Sequence, residues 1–315
     1  MESRRALPLL VPAPANGLDP AAWAADRGEW IEAVLEDCGG ILFRGFDLPT
    51  VAHFECFVRT ISPDTLPYEN RSTPRSRVAG NVYTSTEFPA HQSIPLHNEL
   101  SYTAPWPLRI WFHCVTPAAI SGETPIADSR RVLQAIGHEV SDEFRERGVL
   151  YVRNFRRGVG LSWQETFQTA DRDRVEEFCR NAGIEYSWKG ADDLQTREKR
   201  PALAVHPRTG ERIWFNQAHL FHVSSLGEEV ARLLVSEFGE AGLPRNAYYG
   251  DGSPIPRSSL SRIRDAYVRE EIVFPWRRGD VLLLDNMLAA HGRRPYEGAR
   301  EIVVAMTDSV TAPAV

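Results

Sequence analysis

Cysteine is scarce in this chain and carries no pattern: Cys38, Cys56, Cys114 and Cys179 are the only four in 315 residues, and none stands in a C-x-x-C spacing. That excludes a zinc knuckle and a dithiol redox motif. Four scattered thiols read as reduced side chains of a cytoplasmic protein, buried as small apolar groups. Long apolar runs are missing as well. No stretch reaches the about eighteen residues that a helix needs to cross a bilayer. The opening MESRRALPLLVPAPANGLDP has two arginines before a short apolar run, but Pro8, Pro12 and Pro14 interrupt it, so no export signal is expected. Positive charge is in deficit, since 36 Lys and Arg against 42 Asp and Glu leave a formal net charge of −6. The basic residues are also spread along the chain, which argues against nucleic acid and membrane surfaces as partners. Internal repeats, low-complexity runs and charged tails are absent too.

What is present suits an enzyme with a substantial core, because 43% of the residues are hydrophobic and 10% aromatic. Asp19-Pro20 predicts a capped helix whose apolar spacing runs on to Gly39-Gly40. A short strand at 41–45 and a helix over 49–61 follow. From 68 to 96 the polar, proline-punctuated sequence predicts a long loop with short strands, a natural wall for a site. Strands are expected at 108–117, in VLYVRNF, in VLLLDN and in REIVVAMT, and a hairpin turning at Thr209-Gly210. Helices are expected within 129–148, 227–242 and 258–272. The regular βαβ alternation of a doubly wound sheet is absent. The expectation is a mainly β fold with peripheral helices (α+β), a distorted double-stranded β-helix or jelly roll. It forms one domain over 1–315, with a charged, mostly helical insertion around 161–200.

The stretch IPLHNELSY carries His97 and Glu99, and LLLDNMLAAHGRRPYEGAR carries His291 just past the apolar run Val281–Leu284. Two imidazoles and one carboxylate form the facial set that holds Fe(II) and leaves coordination positions open. On an extended segment, residues at this spacing point to the same side. A mononuclear iron site that binds a cosubstrate and then O2 is therefore the first hypothesis. An H-x-E triplet alone is weak, since a chain with 9 His and 42 acids produces one by chance. His97 and His291 become neighbours only if their segments face each other across a barrel or sandwich.

Four segments, 68–102, SGETPIADSRRV at 121–132, ERIWFNQAHLFH at 211–222 and GDVLLLDNMLAAHGRRPYEGAR at 279–300, follow one another in the order of a known family. Through them the chain resembles the taurine dioxygenase superfamily of Fe(II)- and 2-oxoglutarate-dependent oxygenases. Within it, the chain is most similar to the syringomycin-type, aspartyl β-hydroxylase-like branch from non-ribosomal peptide pathways. The resemblance implies the jelly roll, the ligand set His97, Glu99 and His291, and a reaction in which 2-oxoglutarate and O2 give succinate and CO2 while an unactivated C–H bond is oxidised. Halogenating relatives replace the carboxylate ligand by a small residue, so Glu99 argues for hydroxylation or desaturation.

The resemblance also places the distal carboxylate of 2-oxoglutarate on Arg300, a planar bidentate donor, and on Thr124. Arg293 and Arg294 are the alternatives, and Arg294 could meet a substrate carboxylate. By residue type alone, Arg300 could equally form a surface salt bridge at a strand start, and Thr124 could be a turn residue after Gly122. Asn81, Phe215 and Asn216 lie in stretches the family keeps beside its iron. Asn216 fits an amino acid head group and the polar end of a hairpin strand equally. Leu100, Ser101 and Tyr102 could shape the substrate mouth. His219 and His222 read as a capping or packed pair ahead of a second metal site. The expected activity is hydroxylation, at Cβ, of an amino acid, free or bound to a peptidyl carrier protein, in natural-product biosynthesis. Desaturation, epimerisation or cyclisation is the runner-up. A zinc hydrolase and a non-catalytic jelly-roll binding protein are the remaining rivals.

Overall fold

The computed structural model describes residues 6–15, 17–67, 76–85, 88–190 and 192–310, so 68–75, the start of the first family-like segment, lies outside the described residues. Leu9–Pro12 (β1) pairs in parallel with Gly40–Arg44 (β2), Leu9 opposite Ile41. Between them the chain forms two helices where the apolar spacing predicts one. Asp19 caps Pro20–Ala25 (α1), accepting from the Ala21 and Ala22 N–H groups. The helix then breaks at Arg27 and restarts as Gly28–Cys38 (α2). Arg27 folds back onto Trp23, 4.9 Å above its ring, and donates to the Trp23 carbonyl. Gly39, at φ 84°, ends α2 in the left-handed conformation that lacks a Cβ penalty. Thr50 caps Val51–Ile61 (α3).

Short strands Arg77–Ala79 (β3), Val82–Thr84 (β4) and Ile94–His97 (β5) precede the long strand Trp106–Thr116 (β6). Ile120–Ser121 (β7) and Ile126–Asp128 (β8) lead to helices Ser129–Ile136 (α4) and His138–Arg147 (α5), then Val149–Phe155 (β9). The predicted helical insertion is helical only in its first half, Trp163–Phe167 (α6) and Arg172–Ala182 (α7). Its second half is a hairpin, Glu185–Lys189 (β10) and Asp193–Arg200 (β11), paired onto β9. The reason is a period-two pattern hidden under charge. Leu194, Thr196 and Glu198 all turn inward, and Glu198 is buried against Arg200 at 2.6 Å.

Leu203–Val205 (β12) and Arg212–Trp214 (β13) form the expected hairpin. Ala218–Phe221 (α8), Glu228–Phe238 (α9), Arg245–Tyr249 (β14) and Arg257–Arg269 (α10) follow. The chain closes with Val281–Asp285 (β15), Ala289–Arg293 (β16), Tyr296–Glu297 (β17) and Glu301–Val310 (β18). A seven-stranded sheet in the order β1-β2-β15-β6-β18-β4-β3 faces a three-stranded sheet β5-β16-β8, the jelly-roll arrangement. The central strands β6, β15 and β18 bury both faces. Phe112, Leu282 and Val304 enter the core between the two sheets, while Trp111, Val281 and Val303 pack under α1–α3. This is why VLLL reads as a continuous apolar run. A separate sheet, β10-β11-β9-β14, lies beside the barrel.

Candidate active site

The two histidines meet within one sheet, and not across the sandwich as expected from the sequence, because β5 and β16 are antiparallel neighbours with His97 opposite His291. Their ring centroids are 4.6 Å apart. Glu99 does not reach them along an extended strand, as its spacing predicts. The strand ends at His97, and the chain turns through Leu100 at φ 56°. That turn brings Glu99 Oε2 to 3.7 Å from His291 Nε2. Asn286 holds the turn, its Oδ1 accepting from Glu99 N–H at 2.6 Å and its amide donating to the Glu99 and Pro107 carbonyls at 2.9 Å. All three of its bonds go to backbone, which fixes the carboxylate-bearing turn against the end of β15. Sequence reasoning missed Asn286, although it stands in the LLLDN stretch that was singled out.

The donor set fits a metal. His97 Nδ1 lies 2.8 Å from the Pro95 carbonyl, which can only accept, so Nδ1 carries the proton and the Nε2 lone pair faces the cluster. One ligand atom from each of His97, Glu99 and His291 lies within 4.8 Å of the others, a group of three found nowhere else among the described residues. His219 and His222 form no second centre. His219 is buried, donates through Nε2 to the Leu96 carbonyl at 3.1 Å and stacks on Tyr267. Burial pushes its imidazolium pKa down to about 3. His222 Nδ1 accepts from Ser224 N–H at 3.1 Å as a helix cap, and burial pushes it down to about 4.

Beside the histidines, Thr124, Arg293, Arg300 and Ser85 line the same cavity, floored by Phe112. Arg300 donates through Nε to the Gly122 carbonyl at 2.8 Å and reaches Ser85 Oγ at 3.4 Å. No carboxylate among the described residues forms an ion pair with it. Burial, then the nearby Arg293, pull the Arg300 guanidinium down to about 10. A buried cation with spare donors and no carboxylate paired to it is a receptor for an anion. Gly122 must be glycine there, since at φ 76° a Cβ would stand 2.9 Å from Tyr296 Cβ and 3.1 Å from Arg300 Cδ. Thr124 Oγ1 accepts from the Trp276 indole at 3.1 Å. An indole only donates, so the threonine proton is free to donate into the cavity. Trp276 is a second residue the sequence did not reveal.

The two other arginines are occupied. Arg293 donates to the Phe88, Pro89 and Gln92 carbonyls at 2.7–2.9 Å, tying that loop to β16. Arg294 is outside the cavity and pairs with Glu271 at 2.8 Å, so the expectation of a substrate carboxylate on it is corrected. Gly292 between them allows close strand contact, because a Cβ would meet the Ile94 carbonyl at 2.6 Å.

The expected pocket residues separate. Asn81 is away from the cavity and donates to Thr65, because the Gly80-Asn81 turn needs an anchor. Asn216 is fully buried, donating to the Ala202 carbonyl and accepting from Ala218 N–H, bonds that tie it to the end of the hairpin. Phe215 packs on Trp106 at 5.0 Å, and Tyr102 on Phe221 and Tyr151; both belong to the core. Ser101 is buried and donates to the Asn98 carbonyl. Leu100 alone lines an opening, an apolar cleft with Trp106, Pro67 and Met306 on the far side of the Glu99 turn.

The model of the family "Taurine catabolism dioxygenase TauD, TfdA family" matches residues 3–306. The chain belongs to this dioxygenase family. TauD/TfdA dioxygenases use Fe(II), 2-oxoglutarate and O2, and this chain is an enzyme of that class. It is 43% identical over 280 residues to the dapdiamide synthesis protein DdaC of Enterobacter agglomerans, covering 89% of this chain and 85% of that one. A clavaminate synthase-like protein of Arabidopsis thaliana is 30% identical over 288 residues, 88% of this chain and 84% of that one. Among solved structures, PvcB of Pseudomonas aeruginosa is 16% identical with a TM-score of 0.57, over 95% of this chain and 84% of that one. A second PvcB structure is described as an Fe, alpha-ketoglutarate dependent oxygenase from an isonitrile synthetic pathway. These structures share the fold. No helix among the described residues is long and apolar enough to cross a membrane.

Proposed function

We propose that His97, Glu99 and His291 hold Fe(II), that Arg300 and Thr124 receive the distal carboxylate of 2-oxoglutarate, and that the enzyme hydroxylates a C–H bond, at Cβ, of an amino acid or of an aminoacyl group on a peptidyl carrier. The observation that carries the reading is that His97, His291, Thr124 and Arg300 line one cavity, with Glu99 clustered against the two histidines. Bound iron with 2-oxoglutarate and O2 supplies the oxidising power for the C–H bond. The protein supplies the rest. Arg300 offers a bidentate fork to the cosubstrate, and Thr124, oriented by Trp276, adds a neutral donor. Phe112 and the aliphatic strand residues keep the cavity floor dry.

Glu99 supports hydroxylation, because a carboxylate at the third ligand position fills the place that a halide needs. The cleft of Leu100 and Trp106 suits the substrate side. Trp106 Nε1 is buried beside that cleft with no hydrogen-bond partner among the described residues. Similarity to a protein of dapdiamide synthesis supports an amino acid-derived substrate in natural-product formation.

The test is a two-stage assay. Protein reconstituted without oxygen should gain a visible charge-transfer band with Fe(II) and 2-oxoglutarate, and His97→Ala and His291→Ala should lose it. Amino acids and aminoacyl carrier proteins are then screened for succinate release and for a product heavier by one oxygen atom. A wild type that binds only zinc and hydrolyses esters or amides sinks the reading.

A further inference from the structure

Glu99 and His291 both depend on one turn, and a buried pair outside the cavity fixes that turn. The connection Asn286-Met287-Leu288 joins β15 of the large sheet to β16 of the small one, the strand that carries His291. Asp285, the last residue of β15, accepts through Oδ1 from the Met287 and Leu288 N–H groups, each at 2.9 Å. Its other oxygen, Oδ2, lies 2.9 Å from His206 Nε2. His206 follows β12 directly, where the hairpin begins to turn. Its Nδ1 accepts from Thr209 N–H at 3.1 Å, and a backbone N–H can only donate. The ring proton is therefore on Nε2 and is donated to Asp285. Both side chains are buried, His206 at 0% exposure and Asp285 at 6%. Asp285 thus ties the hairpin to the turn. The next residue is Asn286, whose side chain grips the Glu99 segment. That segment passes through Leu100 at φ 56°, where a residue with a Cβ is strained. Such a conformation persists only where its surroundings over-determine it.

We propose that His206 and Asp285 are positioning residues of the metal centre. The imidazole orients the carboxylate, and the carboxylate closes the β15–β16 turn. The turn then presents Asn286 to Glu99 and sets the start of the strand that carries His291. The inference rests on the reading that His97, Glu99 and His291 hold the metal. His97 has its ring fixed by the Pro95 carbonyl on its own strand, so the pair acts on Glu99 and His291. An apolar side chain in place of His206 would leave Asp285 Oδ2 buried without that donor, and the carboxylate would turn to find another. Its rotation takes Oδ1 off Met287 and Leu288, which frees Asn286 to shift. Neither His206 nor Asp285 lines the cavity, so the pair sets ligand geometry and takes no part in the reaction.

The experiment titrates full-length, metal-free protein with Co(II) alone. Visible absorption reports affinity and ligand geometry together and needs no turnover. His206→Leu should bind Co(II) about three- to tenfold more weakly than wild type, with an altered band, and Asn286→Leu more weakly still, by about ten- to hundredfold. His206→Gln, whose amide N–H reaches as far as Nε2, should recover most of the loss. The double variant His206→Leu with Asn286→Leu should bind no worse than Asn286→Leu alone, because the two act in series. Phe57→Leu, a core change in the helical layer, should lower the melting temperature and leave the titration unchanged. If His206→Leu does not fold, His206→Asn carries the same prediction, since it keeps an acceptor for Thr209 N–H and falls short of Asp285. The proposal is overturned if the histidine variants melt earlier but bind Co(II) as wild type does. It is equally overturned if Phe57→Leu weakens binding as much as they do, or if the losses multiply in the double variant. Wild type that takes up no Co(II), or takes it up equally after His97→Ala, overturns the ligand reading, and this proposal falls with it.

Discussion

The cavity of His97 and His291 and the cavity of Arg153 and Arg245 each bring two guanidinium groups together, but they dispose of the charge differently. In the first, Arg293 is absorbed by three backbone carbonyls and serves the architecture, which leaves Arg300 to face the cavity. In the second, the strand register itself sets the two arginines against each other. The first cavity also carries two imidazoles with a carboxylate alongside, and the second carries neither. Arg300, which forms no ion pair with a carboxylate among the described residues, is thus the cation left to receive an anion, and chemistry belongs only where the ligand set stands beside it. Binding and turnover should be separable by substitution.

The largest effect expected tests that separation. His291→Ala or Glu99→Ala should remove iron and all measurable turnover, read by metal analysis and product formation, while the sheet that carries Arg153 and Arg245 stays folded, read by circular dichroism. Turnover retained in either variant would remove that residue from the ligand set. Next in size is the division of labour inside the first cavity. Arg300→Ala should raise the KM for 2-oxoglutarate by at least roughly tenfold, and Arg300→Lys should recover part of the loss, since an ammonium lacks the fork. Arg293→Ala should instead lower the melting temperature by freeing the 88–92 loop. The reverse pattern would exchange their roles.

A smaller effect concerns histidines near each cavity. His113, stacked on Phe54 behind the iron-side sheet, and His222, next to Val223 of the second cavity, both have pKa values lowered mainly by burial. A lowered imidazole pKa means that the unfolded chain binds the proton first. Stability should fall as pH drops below 6.5, for His222 down to about 4, and be complete above that range. His222→Asn keeps a capping acceptor and cannot titrate, so urea unfolding of that variant should depend less steeply on pH. An unchanged slope would mean that His222 is protonated in the fold. The smallest effect is at Thr124. Thr124→Val and Trp276→Phe should each raise the KM for 2-oxoglutarate by roughly two- to fivefold at unchanged kcat, the worth of one neutral hydrogen bond. An unchanged KM in Trp276→Phe would show that the hydroxyl needs no orienting partner.

The barrel was readable because its signals are local. The VLLL run, the Asp19 and Gly39 caps and the Thr209-Gly210 turn each declare an element within a few residues. The metal triplet was readable as a pattern, but not the turn that closes it, since Asn286 acts on Glu99 from far along the chain. The roles of Asn81 and Asn216 were not legible for the same reason. Their partners, Thr65 and Ala202, become neighbours only in the fold, and nothing in an asparagine says whether backbone or ligand will use its amide. The 185–200 hairpin was hidden because Glu198 is an inward position that carries a charge. The opposed arginines were invisible for lack of a register.

Strand β15 has one more consequence. Leu282 and Leu284 belong to the core that surrounds the active site, and Val281 and Leu283 to the core under the N-terminal helices, all of them at 0% exposure. A single five-residue strand thus acts as a rivet through two hydrophobic layers, so neither layer can melt while the other persists. Local opening has no route through it, and hydrogen exchange of its amides should require global unfolding. Damage to the distant helical layer, for instance at Trp23 or Phe57, would then be felt at the iron as a shorter lifetime of the whole enzyme, with its catalytic geometry intact until the moment it fails.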